Sequence, residues 1–194
     1  MDKSMPSSTQ SPKISVNPST GQATIGGGCF WCLDAVFRKI KGILSISSGF
    51  SGGVEINPSY ELACSGQTGH IEVVHITFDQ QLLSYEALLA IFFAAHDPTQ
   101  INRQGHDIGP QYRSVIFFHS PQQHQSANQM ISTIDNEDLW PDNIATEVRA
   151  FDAYYPAPHQ HQDFYQQHRE VPYCQIIIYP KLEKIRELFG ELLI

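Results

Sequence analysis

Apolar residues along the chain keep two rhythms in turn. In "LDAVFRKI", Leu33, Val36, Phe37 and Ile40 recur at i, i+3, i+4 and i+7, which predicts an amphipathic helix starting close to Cys29. "GILSISSGF" alternates loosely and suits a strand, and "IEVVHITFD" is a strand by its β-branched composition. "SYEALLAIFFAAH" predicts a helix with Ser84 as N-cap and Leu88, Leu89, Phe92 and Phe93 facing inward. Further on, "SVIFF" predicts a buried strand, "PQQHQSANQMISTI" a helix, "IATEVRA" a strand, and "QIIIY" a strand running into the terminal helix "PKLEKIRELFGELLI". Between residues 52 and 70, glycines, Asn57 and Pro58 mark a turn-rich connection with one helical turn at "YELAC". Residues 97–113 carry no periodicity and outrun ordinary loops, so they are expected to wall a site. Interleaved helices and strands give an α+β class, a sheet covered by helices mainly on one side, with the strand order left open.

Composition narrows the function classes. The 194 residues carry 12 basic and 20 acidic side chains for a net charge of −8, which argues against a nucleic-acid or anionic-membrane partner. No apolar run approaches the roughly 18 residues that span a bilayer, and the first residues lack a secretory pattern, so a cytoplasmic protein is expected. Residues 1–21, rich in Ser, Pro and Gln, are expected to form a flexible tail, and residues 22–194 a single catalytic domain, taken to be a monomer. Four cysteines are too few for a disulfide scaffold; in a reducing compartment each is a packing residue, a metal ligand or a reactive thiol.

Cys29 falls at a helix start, where unpaired N–H groups and the helix dipole favour a thiolate. Cys32, three residues on, shares its helical face within disulfide reach. Two buried small hydrophobes would explain the pair as well. Glu72 shares strand parity with Val74, Ile76 and Phe78, so it is expected to point at an apolar face and keep its proton, the condition of a general acid at neutral pH; a solvated strand end is the alternative. Tyr60, Tyr112, Asp107 and Arg113 lie in the two turn-rich segments, free to line a cleft or merely to cover surface. His159 and His161 suit a metal or plain surface, and Cys64 and Cys174 stand alone as packing residues.

Several chemistries compete for these residues. A thioredoxin-like C-x-x-C disulfide oxidoreductase is the main alternative, although Phe30 and Trp31 between the thiols look like an apolar wall for a small substrate. A zinc deaminase would need H-x-E ahead of P-C-x-x-C, whereas "HIE" at 70–72 follows the cysteine pair. A structural zinc module would need a second pair at ligand spacing. No metal and no cofactor are expected.

Taken together, "GGGCFWC", "GFSGG", "NPSYELACSGQTGHIEVV", "HDPTQINRQGHDIGPQYRSVIFF", "HQDFY" and "PYCQIIIYPKLEKI" resemble the peptide methionine sulfoxide reductase A family over residues 23 to about 186. The resemblance implies a two-layer α–β sandwich with a ferredoxin-like core of mixed sheet. It implies Cys29 as the nucleophile on the sulfoxide sulfur of methionine-S-sulfoxide, free or in proteins, with Phe30 and Trp31 receiving the S-methyl group. Glu72 would protonate the sulfoxide oxygen, Tyr60 and Tyr112 would hydrogen-bond it, and Asp107 would build the polar side of the pocket. Cys29 would pass through a sulfenic acid to a disulfide that thioredoxin reduces. For the second thiol the resemblance points to Cys174, while Cys32 stands where the family often has glycine. Proximity favours Cys32; a mobile "HREVP" turn ahead of an apolar strand favours Cys174, toward which the expectation leans.

Overall fold

The computed structural model describes residues 19–194. The expected tail lies outside the described residues up to position 18, and strand β1 (Thr20–Gly26) already begins inside its expected last residues. The central strands are β1, β2 (Ile43–Ser51), β3 (Ile71–Asp79) and β6 (Val115–Phe118), ordered β6-β1-β3-β2 and antiparallel throughout. Helix α1 (Phe30–Phe37) connects β1 to β2 with β3 inserted between them, and α3 (Tyr85–Ala95) connects β3 to β6 with β1 inserted, which is the ferredoxin-like arrangement of two split βαβ units. The edges are extended by β7 (Glu147–Ala150), parallel to β6, and β8 (Tyr154–Pro156), antiparallel to β2, so the sheet is mixed.

Alternation along β3 divides the molecule. Val74, Ile76 and Phe78 join the main core under α1, α3 and α6 (Tyr179–Phe189), while Ile71 and Val73 turn to a small cluster with Val115 and Phe117 on the other face. Helix α4 (Pro121–Asn136) lies against α3 and β6. Ser84 caps α3 as expected, its hydroxyl accepting the Ala87 N–H at 3.1 Å. The 97–113 stretch forms a two-residue hairpin, β4 (Arg103–Gln104) with β5 (Asp107–Ile108), and a 3₁₀ turn at Pro110–Tyr112.

One expected element is different. "QIIIY" is not a strand: residues Cys174–Ile178 form a π-helical turn that runs directly into α6. Cys174, Ile178, Leu182, Ile185 and Phe189 repeat at helical spacing and pack on the core, and this burial outweighs the strand preference of three successive isoleucines. Pro180 has no N–H to donate and its ring crowds the preceding turn, which accounts for the wide turn just ahead of it. Two short elements near the site escaped the periodicity, β8 and the one-turn helix α5 (Phe164–Gln167).

Candidate active site

The site is built where β1 hands over to α1. Gly28 sits at φ +91°, a conformation costly for any residue with a Cβ, and a Cβ there would meet the Gln104 side chain at 2.6 Å. Gly26 lies against the Glu72 carbonyl, where a Cβ would come within 2.6 Å. These two glycines bring the chain close to β3 and place Cys29 at the N-cap of α1, with ψ 127° outside the helical range.

Carboxyl, phenol and thiol groups converge there from β3, the short helix Tyr60–Cys64 and the turn at Pro110–Tyr112. The Phe30 N–H, one of the unpaired donors of the first helical turn, donates to Glu72 Oε2 at 3.0 Å. Glu72 is 3% exposed, and burial raises its pKa to about 8, helped by the charge of Asp107 and opposed by the Phe30 N–H. The carboxyl therefore holds its proton at neutral pH. Burial is also the main cause that pushes the Tyr60 and Tyr112 hydroxyls upward, with the Cys64, Glu72 and Cys29 charges adding to it. Tyr60 opens α2 (Tyr60–Cys64), which Ser59 caps, and the Tyr112 carbonyl accepts the Gly28 N–H at 3.1 Å. Cys64, in the same pocket with its sulfur 4.0 Å from Glu72 Oε1, is pushed up to about 11 by burial.

The thiols themselves qualify the expectation from the helix end. Burial holds Cys29 well above a free cysteine's range, and hydrogen bonding with Cys32 and the nearby Glu72 add to this. The helix terminus alone does not ionise it. Cys32 moves the other way, held down first by the hydrogen bond with Cys29 and then by Lys181 and Tyr173, against the cost of burial.

Aromatic rings close the apolar side. Trp31 stacks on Phe164 at 3.7 Å and on His161 at 5.8 Å, while His161 stacks on Tyr60 at 4.1 Å and Phe30 packs on Phe50 at 5.7 Å. His161 is half-buried, a ring in the wall, and among the described residues no group of three or more His, Cys, Asp or Glu could hold a metal. Asp107 Oδ2 accepts the Tyr173 hydroxyl at 2.7 Å. Arg113 braces the wall from behind, paired with Glu147 at 2.9 Å and donating to the Gly69 carbonyl. His161, Phe164 and Tyr173 arrive from the C-terminal third, and only the "HQDFY" and "PYC" stretches marked them in the sequence.

Known proteins resemble this chain in sequence and fold. The sequence model of the family "Peptide methionine sulfoxide reductase" matches residues 21–192. A peptide methionine sulfoxide reductase MsrA of Saccharolobus solfataricus is 47% identical, covering 87% of this chain and 94% of that protein. One from Polynucleobacter asymbioticus is 45% identical, with 91% and 93% covered. Among solved structures, the reduced form of Mxr1 from Saccharomyces cerevisiae superposes with a TM-score of 0.76 at 28% identity, covering 86% of this chain and 96% of that one. Mxr1 in complex with Trx2 matches with a TM-score of 0.56 at 21% identity, covering 77% and 89%. With its thiol at the head of α1, its protonated glutamate on β3 and this extent of likeness, the chain belongs to the peptide methionine sulfoxide reductase family.

Proposed function

We propose that this enzyme reduces the S epimer of methionine sulfoxide, free or in proteins, to methionine, and that thioredoxin recycles it. The observation that carries the reading is Glu72: a buried carboxyl that keeps its proton at neutral pH beside a thiol at a helix start. Sulfoxide oxygen gains negative charge as sulfur is attacked, so a proton donor placed for that charge stabilises the transition state more than the ground state. Glu72 gives its proton to the oxygen, with the Tyr60 and Tyr112 hydroxyls as hydrogen-bond donors to it. Cys29 attacks the sulfur and passes its own proton to the Glu72 carboxylate, with which it hydrogen-bonds. Oxygen moves to Cys29 as a sulfenic acid, and methionine leaves from the aromatic wall of Phe30 and Trp31, with Asp107 on the polar side.

For the second thiol we favour Cys32. It lines one cavity with Cys29, which stands at the N-cap of α1 with its ψ outside the helical range and its carbonyl accepting the Cys32 N–H at 3.0 Å. Cys174, by contrast, is 0% exposed in a helical turn that is tied to the segment ahead of it, the Gln175 N–H donating to the Val171 carbonyl. A Trx2 complex of a yeast relative supports thioredoxin as reductant.

An assay with separate epimers and dithiothreitol tests the activity: methionine should form from the S epimer and not at all with Cys29→Ser. Reduction of the R epimer alone would overturn the reading. Mass spectrometry of the oxidised wild type should find a Cys29–Cys32 bridge, and a Cys29–Cys174 bridge would assign the second thiol to Cys174.

A further inference from the structure

A cavity of about 200 Å³ lies beside the cysteine pair, with Cys29 and Cys32 on one side and Asp107, Tyr173, Ile177 and Lys181 among its other walls. We propose that the Lys181 ammonium, on α6, is the charge that holds Cys32 as a thiolate and so sets how fast the Cys29 sulfenic acid closes to a disulfide. The inference rests on Cys32 being the second thiol.

The polar groups of the cavity leave this role to one residue. Cys32 Sγ is 3.7 Å from the Tyr173 hydroxyl, which in turn donates to Asp107 Oδ2 at 2.7 Å. That hydroxyl has a single proton, so a thiolate at Cys32 and the Asp107 carboxylate compete for it. Two anions across one donor need a cation. The titratable groups facing Cys32 are Cys29 on its own helix, Glu72 of β3, Asp107 with neighbouring His106 on the hairpin, Tyr173 and Cys174 ahead of α6, and Lys181 on it. Lys181 is the one lysine or arginine among them. Its ammonium is fixed there by a 2.8 Å hydrogen bond to the carbonyl of Ala95, the last residue of α3, one of the acceptors that a helix end leaves unpaired. A tethered cation in a half-buried wall acts on a neighbouring thiolate with little screening.

The step balances without another reagent. Cys32 thiolate attacks the Cys29 sulfur, the S–S bond forms and the S–O bond breaks. The departing hydroxide takes up the proton that Cys32 gave up and leaves as water. The Cys32 sulfur is oxidised by the sulfenic acid that the reductase step supplies.

Single turnover on the S epimer, quenched with an alkylating agent and read by mass spectrometry, separates methionine release from bridge formation. With Lys181→Met, methionine should appear at the wild-type rate. Bridge formation at pH 7 should slow about tenfold, with its pH midpoint moved up by about one unit, the size expected for losing one nearby charge. Lys181→Arg should restore both. A Cys29–Cys32 bridge forming at the wild-type rate with an unmoved pH profile overturns this inference alone, as does equal slowing of both steps. A Cys29–Cys174 bridge in the wild type overturns the assignment of Cys32 and this inference with it. A second measurement uses Cys29→Ser as the background for both proteins: alkylation of Cys32 should titrate about one pH unit lower with Lys181 in place than with Lys181→Met, and coincident midpoints refute the role of Lys181.

Discussion

Replacing Glu72 with Gln should cost activity and add stability, and the structure sets the size of both. In the unfolded chain the carboxyl ionises at an ordinary 4.5, whereas in the folded site burial raises this to about 8. The sign follows from the raised value: an acid that ionises less readily when folded favours folding below its unfolded pKa, and that contribution is lost as pH rises from 4.5 toward 8. At pH 7 about 2.5 pH units separate the medium from the unfolded value, and at about 1.4 kcal/mol per unit the wild type forgoes roughly 3 kcal/mol. Glutamine keeps the shape and an oxygen for the Phe30 N–H, and it has no proton to lose. Glu72→Gln should therefore match the wild type near pH 4.5 and exceed it by up to roughly 3 kcal/mol at pH 7, or about 6–12 °C in Tm for a chain of this size. In single turnover it should lose the general-acid factor of roughly 10²–10⁴. The assay is urea or thermal unfolding of both proteins from pH 4.5 to 8, with methionine release measured alongside. A stability difference that does not change with pH, or a variant less stable at pH 7, would show an ionised and paired carboxylate and refute the reasoning.

Two further perturbations test the fold around the site. Ile178 is 0% exposed and Ile176 is 69% exposed, although a strand would put both on one face; Ile178→Ala should cost roughly 2–5 kcal/mol in urea unfolding and Ile176→Gln less than about 0.5, whereas equal costs would restore the strand. On the far face of the sheet, the Thr24 hydroxyl lies 2.7 Å from His75 Nδ1 and 2.9 Å from His119 Nε2, and burial with the His75 charge lowers His119 to about 4. A lowered histidine contributes stability above its unfolded 6.5 that disappears as pH falls toward 4; the acid decline in Tm should be shallower in His119→Gln, and identical slopes would show that the pair does not titrate with folding.

The sequence by itself settled what depends on neighbours along the chain. The i, i+3, i+4 spacing of Leu33, Val36 and Phe37 placed α1, the parity of Glu72 with Val74, Ile76 and Phe78 turned its carboxyl to the core, and the run around Cys29 marked the family. Local pattern failed at "QIIIY", because three β-branched residues favour a strand until Cys174, Ile178, Leu182 and Ile185 find a core to bury in as a helix. Charge was decided only by the tertiary structure. A helix end promised a low pKa for Cys29, but burial and Glu72 raise it, and the thiol held low is Cys32, through Cys29 and a lysine 149 positions further along the chain. Desolvation and Coulomb forces act through space. Periodicity reports which face a residue occupies, but what stands opposite that face is set by how β3, the 97–113 hairpin and α6 come together around α1.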